Sequence, residues 1–523
     1  MDFVLLLGHL KKFKNELLGP VYWRRDALRF QRTLARWKET PSLPGVGEGH
    51  RVGVLVIPWL LTRAPWFAIA LGLLLARKGA RVTFIVDDAM FGNSTRDFKL
   101  ALESINEALQ LLESDYEVLR LSGYRKDGTA PECLPPFPES RVAELANLNT
   151  IWFMRGDTKN SGRRVYQELV TDQLRESAPR ISALLSANPG FEYLLVPGGI
   201  YASSGTWLQL AKERGIRVAT HDSGPDCVLI STDGIAAQLQ DVPRAFEAIQ
   251  AEPGSVDSAV AEAQAERHRR QQGRDKFGYQ AGNTESCDVG ADGAILIPLN
   301  SPWDSAALGL HAVFGTSIEW VIETVRWALD NTNSSVIVRQ HPGERIKEDA
   351  SDDDYEAALR QSFGDHPRVR FVAAASPINT YALLDKVKVV VAHTSTVGIE
   401  AATMGKIVIT AARSYYSNLG FVFAATSRIE YFDMLRRALD GQFSLDGSQI
   451  RAAWCCYYLA QCCNWVFSDF TPFAFPKWAA MGIDTLYRDS AVEKIITAID
   501  ENVPVALIRH RRKQLECAET TGR

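Results

Sequence analysis

Apolar residues in this chain fall into short uninterrupted runs separated by longer stretches of helical spacing. Residues 51–58 (RVGVLVIP) form such a run, which predicts a strand buried on both faces. Residues 64–78 have the length and composition of a helix, and Gly79 stops it. A strand over 81–86, an amphipathic helix over 97–114 and a strand over 116–121 follow. A long helix over 164–188 leads into a strand at 193–197, a helix at 203–214 and a strand at 216–220. Strands that alternate with helices need crossover connections, so this half predicts a parallel sheet covered on both faces.

Residues 250–290 break the alternation. A polar, helix-prone stretch over 252–272 is followed by Gly273, Gly278, Gly282, Gly290 and Gly293 with little apolar content, which reads as an interdomain connection. Alternation then resumes. Strands are expected over 294–300, 335–340, 369–373, 387–392 and 406–410, with helices over 317–330, 353–363 and 397–404 and one opening at Ser376 and Pro377. The last stretch, 450–502, reads as mostly helical and aromatic-rich. The chain therefore reads as α/β, with two Rossmann-like doubly wound domains facing a cleft and helical segments at both ends. The expected divisions are a basic helical segment at 1–49, a first Rossmann-like domain at 50–250, the connection at 251–290, a second Rossmann-like domain at 291–440 and a helical segment at 441–523.

Composition adds limits. The 523 residues are 46% hydrophobic and 23% charged, enough apolar material for a sizeable core. Fifty-eight Lys and Arg against 62 Asp and Glu give a net charge of -4, which argues against a nucleic-acid partner. The balance is uneven, because nine basic and three acidic residues occupy 1–38 and Arg509, Arg511, Arg512 and Lys513 form a second basic cluster. Basic ends on an acidic body suit an anionic membrane surface, and equally suit solvated chain ends. No apolar run reaches bilayer length and no secretory signal is evident, so a cytoplasmic protein, peripheral on the inner face of the cytoplasmic membrane in the first of those two readings, is expected. Cys455, Cys456, Cys462 and Cys463 lack metal-knuckle spacing and read as reduced packing thiols, and the aromatics around them (Trp454, Tyr457, Tyr458, Trp465, Phe467) as a buried bracing helix rather than a monotopic membrane helix.

Polar chemistry concentrates just after expected strands. Arg339, His341 and Glu344 (RQHPGE) follow one strand, and a guanidinium and an imidazole there suit phosphate oxygens. His393, Thr394, Ser395, Thr396, Gly398 and Glu400 follow another. Hydroxyls and N–H groups opening a helix suit an anion, with Gly398 allowing close approach and Glu400 accepting from a ribose diol. Asn300 and Asp304 leave the first strand of the second domain, and His221 and Asp222 end a strand of the first, where a general base is expected. Each group also has an ordinary structural reading, as a turn, an N-cap or a surface His before Pro. P-loop, G-x-G-x-x-G, H-E-x-x-H and nucleophile-elbow patterns are absent, which leaves neither a cofactor nor a metal indicated. Asp352 to Asp354 reads as helix capping.

A strand ending in R-Q-H-P-G-E, followed by one ending in H-T-S-T-V-G-I-E-A-A-T-M-G-K, resembles the donor half of GT-B glycosyltransferases. It is most similar to the bacterial capsule polysaccharide biosynthesis group, which includes Kdo- and sialic-acid-type transferases. The resemblance implies that His341 and Thr394, Ser395 and Thr396 hold the phosphate of a nucleotide-sugar donor, and that Asp222 acts as base. It further implies a metal-independent, inverting transfer to a glycan or lipid-linked acceptor. His-Asp-Ser-Gly stands at 221–224 where the sialyl-type pattern has two acidic residues before the glycine. The His-Pro and Ser/Thr pair also resembles CDP-linked glycerophosphotransferases, and a non-catalytic polysaccharide-assembly protein is the third reading.

Overall fold

In the computed structural model the backbone is described for all residues except 1–2, 41–48, 60–61, 90–95, 125–136, 158–160, 253–254, 284–290, 347–349 and 522–523. Side chains are described for the same residues outside 3–18, 161, 255 and 517–521. The chain divides into two compact units. One comprises 1–146, 167–237 and 465–508, the other 147–166, 238–464 and 509–523.

The first unit is built on a seven-stranded sheet. Its strands are β1 (Arg51–Val56), β2 (Arg81–Val86), β3 (Glu117–Arg120), β4 (Tyr193–Pro197), β5 (Arg217–Ser223), β6 (Cys227–Ser231) and β13 (Val466–Phe467), in the order β13-β6-β5-β4-β1-β2-β3. β1 to β5 pair in parallel, whereas β5, β6 and β13 pair antiparallel. β1 buries five of its six residues, as an apolar run without alternation should. One face packs against the helix Ala64–Lys78, where twelve residues are buried, and against Trp478, Ile495 and Ile499. The other face packs against Ile181, Leu184 and Trp207.

The N-terminal segment belongs to this core. Helix Phe3–Lys38 buries Trp23, Ala27, Phe30, Leu34 and Trp37, a stripe with helical spacing, and Trp23 stacks on Trp66 at 4.8 Å.

The second unit holds β7 (Ile295–Pro298), β8 (Val336–Arg339), β9 (Val369–Val372), β10 (Val389–Ala392), β11 (Ile407–Thr410) and β12 (Phe423–Ala424), in the order β12-β11-β10-β7-β8-β9 and all parallel. This is the 3-2-1-4-5-6 order of a doubly wound sheet, with its switch point between β7 and β10. Both sheets are thus Rossmann-like, as the alternation predicts.

The boundaries differ from those expected. Residues 251–290 are not a spacer in their described part. Helix Ser255–Gln271 and the coil after it pack within the second unit, where half-buried Arg270 pairs with Glu400 and Gln280 donates to Thr380 at 3.0 Å. The C-terminal stretch is shared between the units, because Trp465–Ile508 supplies β13 and core aromatics to the first. The helix expected from Ser376 begins instead at Thr380, where Asn379 caps it by accepting from the Tyr381 N–H. Asp354 caps Tyr355–Phe363 as read.

Candidate functional site

At the switch point of the second sheet, β7 and β10 lie side by side, and the chain leaves them as Leu299-Asn300 and His393-Thr394. Asn300 Oδ1 accepts from the Thr394 N–H at 3.2 Å, which ties the two strand ends together. Thr394 is 7% exposed, and its hydroxyl has no hydrogen-bond partner among the described residues. Leaving a buried hydroxyl unpaired costs about 1–3 kcal/mol, so such a group calls for an explanation. Ser395 caps the helix Thr396–Thr403, its side chain accepting from Val397 N–H at 3.4 Å, and its carbonyl accepts from the Tyr416 hydroxyl at 2.9 Å. The positive end of that helix dipole therefore begins one residue after Ser395.

His341 leaves β8, the strand on the other side of β7. At about 4.8 Å between neighbouring strands, His341 and Thr394 leave strands about 10 Å apart, on either side of Asn300. Pro342 opens a short 3-10 turn, and the Gly343 N–H donates to His341 Nδ1 at 3.2 Å. The ring of Tyr279 stands nearly perpendicular to the imidazole at 4.9 Å. Burial, then the charges of Arg270 and Arg339, push His341 down to about 4, so near neutral pH the ring is uncharged. With Nδ1 accepting, the single proton sits on Nε2, and His341 acts as a hydrogen-bond donor rather than a cation. A β-carbon at Gly343 would come within 3.1 Å of both His341 Cε1 and Tyr279 Cε1, so a larger residue there would press on the imidazole seated under Tyr279.

Other residues expected at this site are engaged inside the protein. Arg339 is 1% exposed, and its guanidinium donates to the carbonyls of Val372, Ala373 and Ile378, bracing the chain beyond β9 instead of reaching a phosphate. Glu344 is buried and accepts from Gln340 Nε2 at 2.8 Å, while Gln340 Oε1 accepts from Ala374 N–H. Burial raises the Glu344 pKa. Glu400, 2% exposed, pairs with Arg270 Nε at 3.1 Å and accepts from the Tyr381 hydroxyl at 2.9 Å, which leaves it a core ion pair and not a ribose acceptor. Gly398 gives room to Tyr416 rather than to a ligand, since a β-carbon there would lie 2.8 Å from the Tyr416 hydroxyl. His393 is buried beside His311, with Nε2 3.2 Å from His311 Nδ1, and burial holds it well below its ordinary range. Thr396, the first residue of its helix, is half-buried.

In the first unit, Asp222 lies half-buried in β5, with Oδ1 accepting from Ser223 N–H at 2.7 Å. β5 turns directly into β6, pairing Asp222 with Leu229, so the residue stands in a hairpin rather than in a strand-to-helix loop. His221 is buried against Phe67 at 5.1 Å, and burial pushes it down to about 4.

Three features escaped the sequence reading. Asp87, immediately after β2, is fully buried, accepts from the hydroxyl of Ser203 and from Trp207 Nε1 at 2.9 Å, and is raised to about 6, chiefly by burial. Its signal was available, because Asp87-Asp88 follows a strand just as the other candidates do. Arg270 and Tyr279 lie in the stretch taken for a connection. Arg270 reaches Glu400, Asp275 at 3.7 Å and Gln461 Oε1 at 3.3 Å.

Residues 263–436 match the profile of the family described as capsule polysaccharide biosynthesis protein. The match takes in Arg270, Tyr279, the His341 turn and the Thr394 strand end. No curated protein matches the chain. Among solved structures, a Thermosulfurimonas dismutans KpsC, described as a beta Kdo 2,7 transferase, is similar at 16% identity over 52% of this chain and 79% of its own, with a TM-score of 0.30. The MnaA–UDP co-structure from S. aureus is similar at 11% identity over 87% and 96%, with a TM-score of 0.28. MurG of Acinetobacter baumannii is similar at 7% identity over 86% and 99%, with a TM-score of 0.26. The resemblance carried by the R-Q-H-P-G-E and H-T-S-T loops thus agrees with the family match: over residues 263–436, within the second Rossmann-like unit, this chain is similar to capsule polysaccharide biosynthesis proteins.

Proposed function

We propose that the protein is a glycosyltransferase that moves a sugar from a nucleotide-activated donor to a surface or capsular polysaccharide or a lipid-linked acceptor. The observation that carries this reading is the buried, unpartnered Thr394 hydroxyl beside a Ser395-capped helix start, at the switch point of a doubly wound sheet. Such a place suits a phosphate oxygen, which accepts from the hydroxyl and from the N–H groups opening the helix. Neutral His341 adds a donor from the strand beyond Asn300. As the glycosidic bond to the departing phosphate breaks, these fixed donors strengthen with the charge growing on it, which is electrostatic catalysis without a covalent intermediate or a metal. Asp222 is assigned the acceptor-side base, taking the hydroxyl proton as the oxygen attacks the anomeric carbon and inverts it. Asp222 is preferred to Asp87 because it is half-buried, whereas Asp87 is sealed against Ser203 and Trp207.

The test is a thermal-shift panel of CMP, CDP, UDP, GDP, their sugar conjugates and CDP-glycerol, on the wild type, His341→Ala and Thr394→Val. A ligand at a hundred times its Kd stabilises the folded state by about 2.7 kcal/mol. One nucleotide class should raise the Tm of the wild type, with the shift reduced in both variants. Asp222→Asn should keep the shift and lose product formation. A shift with CDP-glycerol and no sugar nucleotide replaces the reading with glycerophosphate transfer. No shift with any nucleotide overturns it.

A further inference from the structure

Helix Phe3–Lys38 carries two stripes. Trp23, Ala27, Phe30, Leu34 and Trp37 fill one and are buried in the core of the first unit. On the opposite side, Val21, Arg25, Leu28 and Arg32 repeat the same spacing of four, three and four residues, and all four are exposed. Arg24, Arg29 and Arg36 flank this outer stripe, and Tyr22 lies at its margin with Arg25 5.1 Å from its ring. Val21 is 59% exposed, Leu28 53% and Tyr22 41%, among the exposed Arg24, Arg25, Arg29 and Arg32.

Of the arginines on this face, the described part of the protein engages Arg36 and, through Asp26 at 3.9 Å, Arg25. Among the described residues, no ion pair or side-chain hydrogen bond engages Arg24, Arg29 or Arg32. Arg36 donates to the carbonyls of Ala479 and Met481, and Lys38 pairs with Asp115 at 3.0 Å. Asp26, the acidic residue among six basic ones between Arg24 and Lys38, is turned inward to Arg63 at 2.7 Å. The face therefore presents positive charge from a chain whose net charge is -4, so its charge is local and directed.

We propose that this face docks on an anionic lipid bilayer, with the arginines at the headgroups and Val21, Leu28 and Tyr22 entering the interface. Arginine around isolated apolar and aromatic side chains is the composition of an interfacial helix, and here the opposite face is already anchored in the protein. No described helix is long and apolar enough to cross a membrane, so the contact is with its surface. Docking there would hold the enzyme beside a lipid-linked acceptor, and it stands independently of the donor assignment.

The experiment is co-sedimentation of the full chain with vesicles of phosphatidylcholine alone and of phosphatidylcholine with phosphatidylglycerol. Binding is expected only to the second, weakening as salt is raised. Arg24→Glu, Arg29→Glu and Arg32→Glu together should abolish it, at roughly a fivefold loss or more per reversed charge. Leu28→Asp should weaken it, while Leu28→Phe should keep it. All the altered side chains are solvent-exposed, so the Tm should be unchanged. Equal binding to both vesicle types, no binding to either, or full binding by the triple variant overturns the proposal. So does a self-associated species in sedimentation velocity that the triple variant abolishes, since the face would then seat a second copy. Nucleotide binding is not read in any arm, so failure here and failure of the donor site are distinct results.

Discussion

Replacing Glu400 with Gln separates two roles that a glutamate at this position can play. Its carboxylate is 2% exposed, 3.1 Å from Arg270 Nε, and accepts the Tyr381 hydroxyl. Gln keeps the volume and an acceptor for Tyr381, but leaves the buried guanidinium with Asp275 at 3.7 Å as its remaining anion. Breaking one side of a buried pair costs about 3–5 kcal/mol, and Asp275 together with Gln461 places Glu400→Gln near the lower end, about 3 kcal/mol. For a unit of this size that is a drop of roughly 6–12 °C in Tm, read by circular dichroism. Arg270→Met combined with Glu400→Met should not recover the loss, because it leaves the buried Asp275 carboxylate without the guanidinium that stands 3.7 Å away. Nucleotide affinity measured by calorimetry on the folded single variant should stay within about twofold of wild type, less than 0.5 kcal/mol. A variant that melts like the wild type but binds nucleotide tenfold more weakly would refute the ion-pair account and return Glu400 to the ligand.

Three further outcomes follow from burial and space. His221 and His341 sit near 4 in the folded protein against 6.5 ordinarily, so below pH 6.5 the unfolded chain takes up protons that the folded one refuses. Each ring then lowers stability by up to about 3 kcal/mol as pH falls from 6.5 to 4, and their NMR resonances should not titrate above about pH 5. Asp87, raised to about 6, has the opposite sign. The folded state keeps its proton between pH 4 and 6, so stability is lost as pH rises through 6, and urea titrations should show Asp87→Asn gaining on wild type at pH 7 but not at pH 4. Stability that does not change between pH 6.5 and 4.5 in a variant lacking Asp87 would refute the histidine account. Gly398→Ala should cost about 1–3 kcal/mol by forcing the Tyr416 hydroxyl off the Ser395 carbonyl, with partial recovery when Tyr416→Phe is added. An unchanged Tm in Gly398→Ala would show that the helix has room to shift.

Both sheets were legible because their central strands are buried on two faces. A run such as 51–56 or 389–392 cannot alternate, and apolar stretches of that length between helices admit few other folds. The hairpin of β5 and β6 was not legible as such, because β6 (Cys227–Ser231) is itself a short apolar run whose partner direction is set by a tight turn, in which Gly224 N–H donates to the Cys227 carbonyl at 2.9 Å. The 270–283 stretch was misread for a different reason. Its glycines resemble a linker, but what holds it is long-range and polar: Arg345 donates to the carbonyls of Ala281 and Gly278, and Asn379 to those of Gln271 and Asn283. Composition does not report which backbone groups are held by distant side chains.

The same physics explains why the positions of the site residues were readable while their roles were not. Most of them follow strands, and in a doubly wound sheet that is enough to bring Asn300, His341 and Thr394 to three neighbouring strand ends. Whether a side chain there meets a ligand depends on what its burial demands. A buried charge must find a counter-charge or hydrogen-bond partners within the fold, so Arg339 takes three carbonyls and Glu400 takes Arg270. A hydroxyl carries a smaller penalty, and the fold tolerates it unpaired, as at Thr394. The imidazole of His341 meets the demand by giving up its charge, and it keeps one proton to donate. The strongest ions near a strand end are thus the least available to bind phosphate, because the protein neutralises them first. The weaker donors around them remain for the ligand, and these are where substitution should change nucleotide affinity with the least effect on stability.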